Sequence, residues 1–300
     1  MARQWEGRTR GGAFGYLFFI RLVKIFGLGA AYAFLCLVVL YFIPFAPKRT
    51  KSVWVYSRKI LGLSIVRSSL AVVSSYYAFG QSIIDKVVTG MGLSDRFTYS
   101  FDRHDLILEP VGKKQGCVVI GAHVGSWQMG APFFGPNGAK VNVVMYDNEY
   151  QQVKDVISEN TGHQQYSVIP VKEDDVSFLI SITAALRRGE LVCIQGDRYM
   201  HEDRVMTATF MGREAEFPEG PFVLASKMKC QVVFYFAMRG KGRHYRFVFG
   251  TPESVLPYID GQDRKDYIFK AYVKALEDIV REYPMQWFNY YDFWKLYSGK

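Results

Sequence analysis

Apolar positions follow three rhythms along this chain. The first is an unbroken run: residues 25–45 carry no charge over 21 positions, and Pro44 and Pro47 close it. A helix rising about 1.5 Å per residue reaches across a bilayer core with that length. Residues 14–20 are also apolar, and Gly27 and Gly29 can break a helix, so the segment reads as a single span or as a hairpin or interfacial helix. The second rhythm is helical. Within residues 52–92, Ile60, Leu63, Val66, Leu70, Val73 and Tyr77 recur every three or four positions, punctuated by Gly80 and residues 90–92. The third alternates short apolar runs with amphipathic stretches. Residues 117–120, 141–145, 168–171 and 191–194 read as buried strands, and 126–134, 150–159 and 176–188 as the helices between them. Residues 205–210 alternate as a half-exposed strand does. Beyond them the pattern predicts a helix over 220–228, strands over 231–237 and 245–249, and a long amphipathic helix over 265–282.

This order predicts an α/β fold, with a mostly parallel central sheet flanked by helices that gains antiparallel strands late, and an N-terminal membrane-anchoring helical segment. The expected divisions are an anchor over 1–50, a helical arm over 51–96 and an α/β domain over 97–300.

Charge sharpens the picture. The formal net charge is +9, and residues 1–60 hold ten Lys or Arg against one acid, Glu6. The whole excess therefore flanks the most apolar segment, which suits anionic lipid headgroups and argues against a nucleic-acid binder. A signal peptide would have a shorter apolar core and a small-residue cleavage site, so the segment reads as an uncleaved anchor. Cations lie on both sides of it, and the positive-inside rule does not orient it. Cys36, Cys117, Cys193 and Cys230 lie far apart in apolar runs without a Cys-x-x-Cys, which predicts free thiols in a reducing compartment. His104, His163, His201 and His244 have no partner at ligand spacing, so no metal is expected.

Polar residues collect where the apolar strands end. The first run leads into His123, the second into Asp147 and Glu149, and the fourth into Gln195, Gly196, Asp197 and Arg198. Ligands of open α/β sheets bind outside the carboxyl ends of the strands, so these residues are candidates for one site. Asp174 and Asp175 read as helix caps, and Arg187 and Arg188 as a helix C-terminus.

Four blocks carry a resemblance. GAHVGSWQMG around His123 looks like the His-plus-acid block of the lysophospholipid acyltransferase superfamily, in the branch of the late (lauroyl/myristoyl) lipid A acyltransferases. Residues 195–198 resemble the Glu-Gly-Thr-Arg or Pro-Asp block. Residues 217–236, with Glu219 at the helix opening, and the Pro-x-Gln-Trp stretch at 283–294 are similar to the later blocks of that branch. The resemblance covers about 60–297. It implies a membrane acyltransferase at the cytoplasmic face of a bacterial-type inner membrane. Such an enzyme moves a fatty acyl chain from acyl carrier protein or coenzyme A to a hydroxyl or amine of a lipid acceptor, needs no cofactor beyond that thioester, and has membrane lipids and acyl carrier protein as partners. His123 would be the general base. The backbone N–H groups of Gly125 and Ser126 would face the oxyanion, and Arg198, with Gly196, Asp197 and Glu219, would bind substrate. The family acid position holds Gln128, which can fix the His tautomer but cannot neutralise an imidazolium. Either Asp147 or Glu149 substitutes, or a Glu-to-Gln change has disarmed the chain, or it is a weak or silent enzyme. The rival functions are a lipid- or carrier-binding scaffold and a hydrolase of lipid esters or thioesters. The aromatic tail at 287–294 suits core packing and a membrane interface equally.

Overall fold

The computed structural model describes residues 12–130, 133, 139–146, 166–171, 176–199 and 204–297. Seven strands form the central sheet: β1 (Thr98–Asp102), β2 (Cys117–Gly121), β3 (Val141–Tyr146), β4 (Ser167–Val171), β5 (Leu191–Gln195), β8 (Gln231–Arg239) and β9 (His244–Gly250), in the order β1-β9-β8-β2-β5-β3-β4. β8, β2, β5, β3 and β4 run parallel; β9 is antiparallel to β8 and carries β1 parallel to itself. β6 (Val205–Phe210) and β7 (Arg213–Pro218) pair as a separate antiparallel hairpin. The central strand β2 is buried at every position, as a parallel strand covered on both faces must be, which is why it reads as a continuous apolar run.

The N-terminal part is helical: α1 (Gly12–Phe45), α2 (Pro47–Val55) and α3 (Ile65–Gly90). Residues 17–45 are long and apolar enough to cross a membrane, yet α1 is not straight. Gly27 takes φ +82°, ψ 173°, and the ring of Phe18 meets that of Phe34 at 4.9 Å. Along a continuous helix those residues would stand about 24 Å apart. α1 is therefore bent back on itself at Gly27, its two arms folded together.

The second arm lies on α3. Leu35 sits over Gly80, where a Cβ would fall 2.4 Å from the leucine Cδ1. Leu28, Ala31, Leu35 and Val39 belong to the same buried cluster as Val119, Val143, Tyr245 and Phe247 of the sheet. One carboxylate joins these layers. Buried Asp85 of α3 accepts from Tyr32 Oη at 2.5 Å, Tyr245 Oη at 2.6 Å and Arg239 Nε at 2.9 Å. Three donors, one of them a paired guanidinium, satisfy a carboxylate out of water.

The helices on the α/β part are α4 (Asp105–Gly112), α5 (Ser177–Arg187), α6 (Gly220–Lys227) and α7 (Arg264–Glu282). The helix expected over 52–92 divides. After α2 a wide turn runs through Tyr56–Ile60, Gly62 takes φ +66°, and Ser64 caps α3 by accepting from the Arg67 N–H. Of the helix expected over 126–134, Trp127–Gly130 form a 3-10 turn, and the helix expected over 150–159 lies outside the described residues.

Candidate active site

β2 delivers His123 to the carboxyl edge of the sheet, and its neighbour β5 delivers Asp197 beside it. The His123 Nδ1 lies 2.8 Å from Asp197 Oδ1. The His123 backbone N–H also donates to this carboxylate, at 3.1 and 3.0 Å from its two oxygens, and the Trp287 indole N–H reaches Oδ2 at 3.4 Å. The Asp197 side chain is 1% exposed, whereas that of His123 is 28% exposed. Burial pushes the Asp197 carboxyl up. The charge and hydrogen bond of His123, the Arg198 guanidinium and the His123 N–H outweigh it, and its pKa lies below the ordinary carboxylate value. An ionised Asp197 favours the tautomer with the proton on Nδ1, which leaves the lone pair on Nε2.

The local backbone explains why the ring stays put. Gly125 takes φ +62°, and a Cβ there would fall 2.0 Å from the Ala237 carbonyl oxygen, so only glycine lets the loop lie against β8. The loop pairs with both neighbours, Val124 with Trp287 and Gly125 with Ala237. Beneath Asp197, the Gly196 N–H and Tyr272 Oη both donate to the Gly121 carbonyl at 2.9 Å. A Cβ at Gly196 would meet the Tyr272 ring at 2.8 Å.

The tail over 283–294 is the third wall. The Gln286 side-chain amide grips the end of β8: its Oε1 accepts from the Arg239 N–H at 3.0 Å, and its Nε2 donates to the Arg239 carbonyl at 2.6 Å. The next residue, Trp287, bonds Asp197. Phe288 then donates its N–H to the His123 carbonyl at 2.9 Å, and its own carbonyl accepts from Arg198 Nη2 at 2.6 Å. Trp287 is 4% exposed and packs edge-on against Tyr56, Phe210, Phe293 and Trp294. This stretch is core.

Several sequence assignments change. Asp197 and Gly196 were expected to touch substrate; Asp197 is instead the buried partner of His123, and Gly196 is packed beneath it. Gly125 and Ser126 were expected to offer N–H groups to an oxyanion, but those groups donate to the carbonyls of Gln286 and Ala237, each at 2.9 Å. Gln128, at the family acid position, lies in the 3-10 turn and makes no hydrogen bond to His123, whose Nδ1 is already paired. Glu219 pairs with Lys265 at 2.8 Å rather than with any residue of this cluster. Arg198 is half-buried beside the tail. Asp147, Glu149, Asp174, Asp175, His163 and His201 lie outside the described residues. Elsewhere, both ring nitrogens of His244 are bonded, to Thr98 and Ser100, and His104 stacks on Phe101 and Phe249. Among the described residues no cluster of His, Cys, Asp and Glu is arranged to hold a metal.

Gln286, Trp287 and Tyr272 were not singled out from sequence as site residues. The signal for Gln286 and Trp287 was the Pro-x-Gln-Trp stretch, which the resemblance marked without giving its residues a task; Tyr272 lies within the amphipathic helix before it.

Comparison with known proteins places most of the chain in one family. The model of the family described as bacterial lipid A biosynthesis acyltransferase matches residues 81–296, a span that holds every strand of the sheet, the His123 loop and the tail. No curated protein matches the chain. With more than two-thirds of its length matched, the chain belongs to the bacterial lipid A biosynthesis acyltransferase family, and its activity is that of an acyltransferase of lipid biosynthesis.

Proposed function

We propose that the chain moves a fatty acyl chain from a thioester, acyl carrier protein or coenzyme A, to a hydroxyl or amine of a membrane lipid, with His123 as general base. The observation that carries this reading is the pairing of a part-exposed imidazole with a buried, ionised carboxylate at the carboxyl edge of the sheet. His123 Nε2 takes the acceptor proton as that oxygen or nitrogen attacks the thioester carbonyl. The imidazolium so formed faces the Asp197 charge. When the tetrahedral intermediate collapses, the C–S bond breaks and the departing thiolate takes the proton back from Nε2. No acyl-enzyme is needed, and Asp197 supplies the charge that Gln128 lacks, which weakens the case for a silent scaffold.

Arg198 is placed to help hold a phosphate on donor or acceptor, since its guanidinium lies beside the dyad with one nitrogen turned to the tail. The work takes place at the cytoplasmic face of a bacterial-type inner membrane, where the carrier thioester and the lipid meet. Placement in the late, lauroyl/myristoyl branch is supported by the Pro-x-Gln-Trp tail. The test is turnover of a labelled acyl thioester with membrane lipid extract, comparing the chain with His123→Ala. Acylated lipid from the parent alone supports the reading; equal product from both overturns it, and free fatty acid formed without acceptor points to a hydrolase.

A further inference from the structure

We infer that the N-terminal hairpin lies in the plane of one anionic leaflet and does not cross the bilayer. The inference rests on the membrane reading above and adds its topology. Three observations carry it. First, the break at Gly27 folds α1 back on itself, so neither arm continues the other. Second, the second arm presents an apolar stripe away from α3. Leu37, Leu40, Tyr41 and Phe45 recur at helical spacing and are all exposed, while Leu28, Ala31, Leu35 and Val39 face inward. Residues 32 and 35 meet residues 85 and 80, so the two helices run antiparallel. The end of α1 therefore lies by the start of α3, where Val66, Leu70 and Val73 are exposed too.

Third, cations stand at both ends of that stripe. Arg21 and Lys24 are exposed beside the Gly27 bend, and Lys48, Lys59 and Arg67 are exposed at the other end. Trp54 is part-exposed there, with the Arg58 guanidinium 5.9 Å over its ring. From Glu6 to Asp85 the sequence holds no acid, and Asp85 itself is buried. A helix with apolar residues along one side and basic residues at both ends fits a lipid surface lengthwise, its cations all meeting one set of headgroups. A span would instead send one basic cluster through the hydrocarbon. The charge selects an anionic leaflet over an apolar face of a second copy, which would bring like charges together.

The test uses the full chain in native membranes. Lys24→Cys and Lys48→Cys are labelled with a membrane-impermeant maleimide in right-side-out and inside-out vesicles, and the modified peptides are identified by mass. Labelling of both from the same side is expected; labelling from opposite sides overturns the inference. Binding of purified protein to vesicles with and without phosphatidylglycerol gives the second measurement. Replacing Lys48, Lys59 and Arg67 by Gln lowers binding to anionic vesicles by roughly fivefold each. No loss, or a stable dimer in place of vesicle binding, overturns it as well. Turnover of detergent-dispersed lipid reads the acyltransferase proposal separately, because that assay needs no leaflet.

Discussion

His123 and Asp197 stand 74 positions apart in sequence and 2.8 Å apart in space. Each is two residues beyond the end of a strand, and those strands, β2 and β5, are hydrogen-bonded neighbours. Asp197→Asn keeps the shape of the contact and removes the charge that meets the imidazolium. Turnover should fall about 10²- to 10⁴-fold, with the KM for the thioester little changed, as in other His–Asp pairs. Gln128→Glu should leave turnover near that of the parent, because Nδ1 is occupied. Steady-state kinetics on the two variants checks both, and an order-of-magnitude gain from Gln128→Glu would give the acid role back to position 128.

Acid should loosen the same contact. The folded pKa of Asp197 lies below the ordinary value, with His123 and Arg198 supplying the positive charge. Its contribution to stability is then full at neutral pH, present above about pH 4, and lost as pH falls through the folded pKa. Urea unfolding of the parent and Asp197→Asn across that range should show two midpoints that converge on acidification. A gap that widens in acid would contradict the assignment.

The Gln286 side chain acts on the site without touching His123 or Asp197. Its amide satisfies the N–H and C=O of Arg239, so Gln286→Leu strands two backbone groups at the end of β8. The expected loss is about 2–4 kcal/mol of stability, seen as a lower midpoint of thermal unfolding. Trp287→Phe keeps the packing and loses the bond to Asp197. It should lower kcat more than it lowers stability, and the reverse ratio would make Trp287 only a packing residue.

Asp85 and Arg239 offer a double-mutant cycle. Asp85→Asn or Arg239→Met leaves a buried charge without its partner, and each should cost about 3–5 kcal/mol. The pair of changes together should cost clearly less than the two losses added. Additive losses in denaturant unfolding would show that the ion pair is not coupled.

How much of this was legible depends on burial and distance. β2 and β5 could be read because strands covered on both faces leave unbroken apolar runs such as Cys-Val-Val-Ile. β1 and β7 carry no such signal: Thr-Tyr-Ser-Phe-Asp sits at the sheet edge, and Arg-Glu-Ala-Glu-Phe-Pro is as polar as a loop and pairs only with β6. α4 is hidden by Pro110 inside it. At the site, sequence brought His123 and Asp197 to one edge but could not give their mutual distance, because that depends on strand order. It also could not show that the Gly125 and Ser126 N–H groups are used up, since their acceptors, Gln286 and Ala237, lie more than a hundred residues away. Gly27 was read as a possible helix break, and the ring contact between Phe18 and Phe34 shows the chain bending back there.

The bond from Trp287 to Asp197 sets an order on the making of the protein. Trp287 leaves the ribosome about 260 residues after the hairpin turn at Gly27, which at ordinary elongation speed is roughly ten to fifty seconds. Throughout that interval the greasy N-terminus is already free to settle while the dyad lacks its lid. Each newborn molecule is thus delivered first and armed afterwards.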